Sequence, residues 1–236
     1  MARPNDSTIQ PRIASFVSGF EDRIAVEPKS SIRRIVKGIR CMAMPDLSTS
    51  GRISRAALAI LEAEGPAAVS MRRVADSVGI TPMAIYHHFP SREALLNTIT
   101  NQEFATFLSY IEKRPMRASP EARLVSAMEA YIDYAFDRPR IFDYIFAEPR
   151  PEARRYPDDF RARRSPTLNP IADNVRAAMH SGLLRKDDVW EVALELWALT
   201  HGYVALYRAG RFNLPEKEFR ALVRRALRRL IHGLKA

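Results

Sequence analysis

The sequence predicts an all-α fold in which a compact group of short helices is followed by longer ones. Apolar residues recur at intervals of three and four from about residue 46 to residue 234, the spacing that forms one face of a helix. Alternating apolar and polar runs between Asn-Gly or Asp-Gly turns, which would indicate β-hairpins, are absent from the sequence. Glycine and proline residues interrupt the periodic stretches and set the ends of the predicted helices.

The length and composition are those of a globular protein. The chain has 236 residues, of which 47% are hydrophobic and 27% are charged, so a sizeable core is expected and pervasive disorder is excluded. No run of about 18 uncharged apolar residues is present, so we expect no membrane-spanning helix. The single cysteine, Cys41, has no partner for an internal disulfide, and the first residues lack an apolar signal core, which together favour the cytoplasm.

The net charge of +10 is unevenly distributed along the chain. Residues 1–45 carry +4, residues 46–106 carry −1 and residues 107–236 carry +7. A basic chain invites a polyanionic partner. Because residues 46–106 hold the pattern most typical of DNA binding and yet are not basic, the expectation of DNA binding depends on that pattern and not on charge.

Residues 1–45 are predicted to be irregular because prolines interrupt them repeatedly. One basic amphipathic piece, residues 29–40, has isoleucines at helical spacing and cations on the other face. One interpretation is an arm that touches DNA phosphates or a membrane surface. The interpretations that we favour are a poorly ordered tail or a true start at Met42 or Met44.

Four helices are predicted between residues 46 and 113. In the first, apolar residues from Ile53 to Leu61 recur at helical spacing, and Gly65 with the following proline ends it. The last begins after Ser91, whose hydroxyl is a suitable N-cap, and runs to about Lys113. Between them lie two shorter helices.

The two short helices and the turn between them predict a helix-turn-helix over residues 70–89. Ser70 caps Met71–Val78, and Gly79 supplies the positive φ that a tight turn needs. Thr81 caps the second helix, which begins at a proline and runs to His88. In this motif the second helix enters the major groove of DNA.

The second of these helices predicts an outward and an inward face. The side chains expected to face outward are Thr81, Pro82, Met83, Tyr86 and His87. Ala84 and Ile85 are expected to face inward, and His88 and Phe89 to lie in the core or at its edge. The two adjacent histidines lack a nearby third ligand, so no metal site is expected.

The stretch SMRRVADSVGITPMAIYHHFPSREALL is very similar to the DNA-binding domain of the TetR family of bacterial transcriptional regulators. The resemblance covers about residues 47–107 and includes Val78-Gly79-Ile80 and the run from Ile85 to Phe89. It implies a three-helix DNA-binding domain over residues 46–106. It also implies a helical ligand-binding and dimerisation domain over residues 107–236.

By position, the resemblance assigns eight residues to DNA. It implies contacts to phosphates by Ser70, Arg72, Tyr86 and Arg92, and to base edges by Thr81, Pro82, Met83 and His87. Hydroxyl and guanidinium groups are good phosphate donors, and the methyl groups of Met83 and Thr81 suit thymine methyl groups. Because the recognition helix has no Arg, Asn or Gln, we expect DNA shape, bridging water or the N-terminal arm to add specificity.

The remaining sequence predicts a bundle of longer helices. They are expected over residues 120–136, 141–146 and 167–181, from a cap at Asp187 to Leu206, and from Pro215 to the carboxyl terminus. The helix after Asp187 is apolar nearly all round and is therefore expected to be buried. Arg220, Arg224 and Arg228 are expected on a solvated face, and the Pro- and Arg-rich residues 149–166 in an exposed loop.

Residues 197–202 resemble a C-terminal subtype of the same family that is known by a Trp-His-Gly motif. This implies a homodimer formed by the last two helices and a ligand pocket inside the C-terminal core. The candidate wall residues are Met128, Tyr131, Tyr134, Phe142, Trp190, Trp197, His201 and Tyr207. Apolar walls with a few polar tips suit a small organic ligand. Any one of these residues taken alone is better interpreted as plain core.

The resemblance implies a homodimeric repressor that a small organic ligand releases from a palindromic DNA operator. A helix-turn-helix regulator without a sensor, controlled by a protein partner, is the alternative, and a filled C-terminal core would favour it. An enzyme is disfavoured because no Gly-x-Ser-x-Gly, P-loop or Rossmann glycine motif is present. No cofactor is expected.

Overall fold

The computed structural model describes residues 48–114 and 119–236. This part of the chain contains ten α-helices. They are α1 (Thr49–Glu64), α2 (Met71–Val78), α3 (Pro82–Tyr86), α4 (Arg92–Glu112), α5 (Pro120–Asp137), α6 (Pro139–Phe146), α7 (Asp158–Arg161), α8 (Asn169–His180), α9 (Val189–Arg208) and α10 (Glu216–Gly233). An isolated antiparallel bridge between Leu184 and Lys235 is the single β pairing among these residues. The all-α prediction is confirmed, and the predicted N-terminal extension lies outside the described residues.

Helices α1–α3 pack against the first half of α4 around one apolar core. Ile53 of α1, Ala75 of α2, Ile85 of α3 and Leu95 of α4 are all fully buried there. Burying an aliphatic side chain of this size is worth about 1.5–3 kcal/mol. The small side chain of Ala75 lets the neighbouring helices approach closely. This core holds the short α3 in a fixed orientation.

The longest helix, α4, continues from this bundle into the carboxyl-terminal part. Ser91 caps it by accepting a hydrogen bond from the Ala94 N–H at 3.1 Å, and the helix ends before Lys113, both as predicted. Its second half places Phe104 and Phe107 against α5. The boundary proposed between residues 106 and 107 falls inside α4, so both parts of the chain share this helix.

Helix α5 occupies the centre of the carboxyl-terminal part. It contacts α4, α6, α8, α9 and α10, and its predicted apolar stripe, from Leu124 to Ala135, is buried. The predicted break after α5 falls at Arg138, and Pro139 is the first residue of α6, because the proline ring begins a new helix more readily than it continues one. The other long helices pack round α5 as a bundle.

The predicted N-cap of α9 is wrong by one residue. The Asp188 carboxylate accepts hydrogen bonds from the backbone N–H groups of Trp190 at 2.8 Å and Glu191 at 3.2 Å. These are the second and third residues of the helix, which a capping side chain normally reaches. Asp187 stands one residue too early and instead accepts from the Asp188 N–H.

The prediction that α9 is buried nearly all round is also wrong. One side packs on α5, α8 and α10. On the opposite side Ala198, Ala205 and Leu206 are exposed, with Leu206 at 50%. The rest of the described chain therefore leaves part of the apolar surface of α9 uncovered.

The arginines expected on a solvated face of α10 have acidic partners on α5. Arg220 Nη1 lies 2.5 Å from Asp133 Oδ1, and Arg224 forms an ion pair with Glu129. Both pairs form because the two helices pack side by side with rows of opposite charge. Of the three arginines, Arg228 alone is exposed as predicted.

Candidate nucleic-acid interface and carboxyl-terminal cavity

Capping interactions fix the turn between α2 and α3. Ser70 Oγ accepts a hydrogen bond from the Arg73 N–H at 3.3 Å at the start of α2. Gly79, at its end, adopts a left-handed φ of 77° that glycine enters without strain. Thr81 Oγ1 accepts from the Ala84 N–H at 3.1 Å and begins α3. The predicted helix-turn-helix is confirmed, although α3 ends at Tyr86 and so is shorter than expected.

Helix α3 has one buried anchor and an exposed outer face. Ile85 is fully buried, whereas Met83 is 72% and Tyr86 50% exposed. The other side chains predicted to face outward are also exposed: Thr81, Pro82 and His87. A methionine side chain this exposed leaves apolar surface in contact with water, which is unfavourable. A partner such as a thymine methyl group would cover that surface. The outer face is therefore accessible to a DNA groove.

The residues that follow α3 depart from the prediction in one respect. Phe89 is buried at 7% exposure, which confirms its place in the core. His88 is exposed, so its predicted place in the core or at its edge is wrong. Once Phe89 takes the inward position at this turn, the preceding side chain points to solvent.

The arginines near the helix-turn-helix differ in their partners. Arg73 binds both carboxylate oxygens of Glu64, with Nη1 to Oε2 at 2.9 Å. Its neighbour Arg72 is exposed and has no hydrogen-bond or ion-pair partner among the described residues. Arg92 donates to the carbonyls of Val69 at 2.7 Å and Pro66 at 2.5 Å. Arg72 is thus open to a phosphate, while Arg92 braces the loop before α2.

A cavity of about 150 Å³ lies among the carboxyl-terminal helices. Its apolar wall is drawn from six helices and the segment before α8: Phe104, Phe107, Tyr131, Ile145, Phe146, Phe160, Leu168, Ile171 and Trp197. Apolar cavities of about this volume hold molecules of the size of benzene. Two of the predicted pocket residues, Tyr131 and Trp197, are in this wall.

The other six predicted pocket residues do not line the cavity. They are Met128, Tyr134, Phe142, Trp190, His201 and Tyr207. Tyr134 donates a hydrogen bond to Glu103 Oε2 at 3.0 Å, and the Tyr207 ring packs 4.2 Å from the ring of Phe219. These two contacts hold the Tyr134 and Tyr207 side chains within the core.

One polar pair joins the wall to the core. A hydrogen bond of 2.8 Å links Tyr131 Oη and His201 Nδ1, and the Phe142 ring stacks on the imidazole. Burial raises the pKa of Tyr131 far above its usual range and lowers the pKa of His201 below its ordinary 6.5. At neutral pH both groups are therefore uncharged, which suits the apolar surroundings of this pair.

The expectation that residues 149–166 form an exposed loop is wrong in part. This segment contains α7, and Phe160 and Ser165 within it are buried. Phe160 forms part of the cavity wall. The segment that carries it therefore lies against the cavity and places Arg150 and Arg154 at the edge of the cavity. The sequence analysis missed these arginines; the one available signal was a phenylalanine inside a charged stretch.

Helix α6 connects the cavity wall to the bundle of α1–α3. At its start Arg140 Nη1 donates to the carbonyls of Glu62, at 3.1 Å, and Ala63, both at the end of α1. The preceding Arg138 lies 3.5 Å from the Glu62 carboxylate and 3.1 Å from that of buried Glu103. A guanidinium at a helix carboxyl terminus stabilises the unpaired carbonyls there. The position of α6 is thereby tied to that of α1.

The described residues hold no candidate metal centre. Within residues 48–114 and 119–236, no group of three or more His, Cys, Asp or Glu side chains is arranged to hold a metal ion. No helix in the same ranges is long and apolar enough to cross a membrane. The α3 face and the carboxyl-terminal cavity are the candidate sites that this part of the chain forms.

Two family models match the sequence. Residues 53–99 match the model of bacterial regulatory proteins, tetR family. Residues 124–230 match the model of the tetracyclin repressor-like, C-terminal domain. The first range contains the helix-turn-helix, and the second contains most of the helices round the cavity. No curated protein sequence matches the chain.

Solved structures share this fold at low sequence identity. A protein of unknown function from a Rhodococcus species is 21% identical, with a TM-score of 0.69 over 83% of this chain and 100% of its own. FadR of Bacillus subtilis, in complex with stearoyl-CoA, is 15% identical with a TM-score of 0.58, over 78% and 98%. The flavonoid-responsive regulator FrrA is 21% identical with a TM-score of 0.58, over 79% and 96%. With both family models matched, the chain belongs to the TetR family of bacterial transcriptional regulators, which are DNA-binding proteins and not enzymes.

Proposed function

We propose that this protein is a homodimeric repressor that leaves a palindromic operator when a small organic ligand enters the carboxyl-terminal cavity. The observation that carries the proposal is the double role of α6. Its end lines the cavity through Ile145 and Phe146, and its start holds α1 through Arg140. A ligand that displaces α6 therefore acts on the bundle that orients α3.

The DNA-binding part of the proposal depends on the outer face of α3. Each protomer would place this face in the major groove of one half-site. Met83 and Thr81 would contact thymine methyl groups, while Tyr86 and Arg72 would donate to phosphates. The exposure of all four side chains supports these roles. Arg92, which is already bonded to two carbonyls, would act mainly by holding the loop that carries Ser70.

The dimer is supported by the uncovered side of α9. Ala198, Ala205 and Leu206 are exposed on that side, and Gly202 adds no bulk between them. Small side chains let a second helix approach closely, and an apolar stripe gains free energy when it is removed from water. We infer that α9 and α10 pair with the same helices of a second protomer.

The ligand response is supported by the cavity and by the similar structures. A regulator without a sensor would be expected to have a filled core, and this core is not filled. FadR was crystallised with stearoyl-CoA, and FrrA is flavonoid-responsive, so proteins of this fold take organic ligands. A ligand that binds better to the dimer with the wrong spacing of recognition helices lowers operator affinity by its differential affinity for the two states. We place this activity in the cytoplasm.

Footprinting on the DNA that flanks the gene tests the proposal. We expect a protected palindrome, with one half-site per protomer, for the full chain and for a version that begins at Met44. Loss of protection in the shorter version would assign a DNA contact to the N-terminal segment. If a folded dimer protects neither this DNA nor genomic fragments at low salt, the proposed repressor function is wrong.

A further inference from the structure

The apolar cavity adjoins a polar groove of about 610 Å³. Arg150, Ala153 and Arg154 line both, so one region of the wall faces both spaces. The groove continues past Arg155 and Arg164. A molecule that fills the apolar cavity and extends into the groove must pass the guanidinium groups of Arg150 and Arg154.

Arg150 is a partly buried cation without a carboxylate partner among the described residues. Its Nη2 donates to the Ile145 carbonyl at 3.0 Å and its Nη1 to Thr100 Oγ1 at 3.4 Å, while its buried Nε has no hydrogen-bond partner. The guanidinium lies 5.5 Å from the centre of the Tyr144 ring. Burial lowers the pKa of Arg150, the direction expected of a cation short of compensating charge. Leaving a buried charge unpaired is costly unless an anion is supplied.

Arg154 repeats this pattern at the other side of the same region. Its guanidinium lies 5.5 Å from the centre of the Phe104 ring, which is in the cavity wall. Its hydrogen bonds are two long ones to backbone carbonyls, of Glu152 and Arg164, both at 3.4 Å. Arg138 and Arg220, which are also partly buried, do have acidic partners.

The acidic residues nearby leave these two cations available. Asp159 in the groove is engaged by Arg164 at 3.2 Å and by the Arg155 N–H at 2.8 Å. Glu148 lines the cavity, but its side chain is exposed and forms no ion pair with Arg150 or Arg154. Glu152 also lines the groove, but it is exposed and forms no ion pair with either arginine. Four arginines and three acidic residues line the two spaces, so the region has a small excess of positive charge beside an apolar wall.

We propose that the effector is an amphipathic organic anion, with its apolar part in the cavity and its anionic group bound by Arg150 and Arg154. This inference rests on the proposed ligand-responsive function and names the chemical class of that ligand. Guanidinium groups bind carboxylates and phosphates through paired hydrogen bonds, and neither Arg150 nor Arg154 makes such a pair with an acidic side chain of the described residues. The anionic group would be a carboxylate on the apolar part itself, or a phosphate of a larger polar group lying in the groove.

The cavity volume limits the apolar part. A space of about 150 Å³ accepts a group of about the size of benzene. Octanoate and 3-phenylpropanoate are therefore suitable probes with a carboxylate, and octanoyl-coenzyme A is a probe with phosphates. Octanamide and 3-phenylpropanamide have the same apolar parts without charge.

Titration of the full-length dimer without DNA tests the inference. Binding can be followed by calorimetry and by the fluorescence of Trp197, which is in the cavity wall. We expect at least one of the anions to bind at least tenfold more tightly than its amide. Preference for octanoyl-coenzyme A over octanoate would assign the anionic group to the groove. Binding of the amides as tight as that of the acids, or binding of none of the anions, would overturn the inference.

Variants locate the anionic group. Arg150→Gln is expected to weaken binding of the preferred anion at least tenfold and to leave binding of the amide unchanged. Glu148→Gln, which removes the nearby negative charge, is expected to strengthen anion binding. Arg211→Gln removes one positive charge from an exposed position outside the cavity and the groove, and is the matched control, with no effect expected. Equal anion affinity for Arg150→Gln and wild type would show that the charge lies elsewhere, whether or not the variant loses stability.

The outcome can be separated from that of the repressor proposal. Operator protection without any anion binding would support the repressor proposal and refute the proposal that the effector is an amphipathic anion. If the anion binds through Arg150 but does not release the operator, the binding site is supported and the proposed ligand response is wrong. Because binding is measured without DNA, failure to find an operator does not affect the titration.

Discussion

Arg72 and Arg73 are adjacent in sequence, yet the structure gives them different roles, which a pair of variants can separate. Arg72 is exposed and has no partner among the described residues, whereas Arg73 is held by Glu64. If Arg72 neutralises one phosphate, Arg72→Gln should weaken operator binding and make it less sensitive to salt. Arg73→Gln removes the same charge from the next residue and serves as the control.

The size of the effect follows from counterion release. Each neutralised phosphate contributes about 0.9 to the slope of log affinity against log salt, so one contact in each of two protomers contributes about 1.8. Between 50 and 200 mM salt, that part of the slope corresponds to about a 12-fold change in affinity. We therefore expect the wild-type affinity to fall about 12-fold more than that of Arg72→Gln over this range.

Fluorescence anisotropy with a labelled operator, repeated at several salt concentrations, measures both slopes. Arg73→Gln should keep the wild-type slope, because that guanidinium is already neutralised by Glu64 within the protein. Thermal denaturation checks that both variants are folded. A wild-type slope for Arg72→Gln, or an equal reduction for the two variants, would refute the assignment of Arg72 to a phosphate.

Three further changes test other parts of the structure. Tyr86→Phe should weaken operator binding about tenfold per half-site, as measured by anisotropy, without changing the melting temperature. The exposed hydroxyl contributes to the DNA contact and not to the core. Unchanged affinity would contradict the docking of α3. Leu206→Arg should convert the dimer to a folded monomer, as measured by light scattering. Gln102→Arg adds the same charge at an exposed position on α4 and should leave the dimer intact. A stable Leu206→Arg dimer would show that the interface does not include this side of α9. Burial lowers the pKa of His201, so unfolding free energy should fall as pH drops below the unfolded value of about 6.5 and continue to fall until the folded pKa is passed. His201→Gln should lessen the loss of melting temperature between pH 7.5 and 5, and an equal loss in both proteins would show that another group is responsible.

The DNA-binding part could be predicted from sequence because local signals determine it. Ser70, Thr81 and Ser91 cap helices through backbone groups three residues away, so nearby residues suffice to set the helix starts. Gly79 likewise acts through its own backbone conformation. The inward position of Ile85 then follows from the helical period, and with it the outward face of α3.

The carboxyl-terminal cavity could be predicted only as a group of aromatic residues. Tyr131 and Trp197 line it, while Tyr134 and Tyr207, on the same helices α5 and α9, pack within the core. Which aromatic side chain faces a cavity depends on how helices far apart in sequence pack, and helical spacing does not encode that packing. Phe160 is the clearest case, because its charged surroundings indicate a loop, whereas it is buried in a cavity wall that residues distant in sequence complete.

The net charge of a segment can be read from the sequence, but the partner of each charged side chain depends on how distant helices pack. The excess of +7 over residues 107–236 is a single number that gives no place to any arginine. Packing divides these arginines into different groups: Arg220 and Arg224 are neutralised by acidic residues of α5, while Arg150 and Arg154 are left beside an apolar wall without such partners. An uncompensated guanidinium in that position is unfavourable for folding, since desolvation penalises the charge and no carboxylate repays it. An organic anion that enters the cavity supplies the missing charge, so the same feature that destabilises the unliganded core gives the bound ligand its affinity.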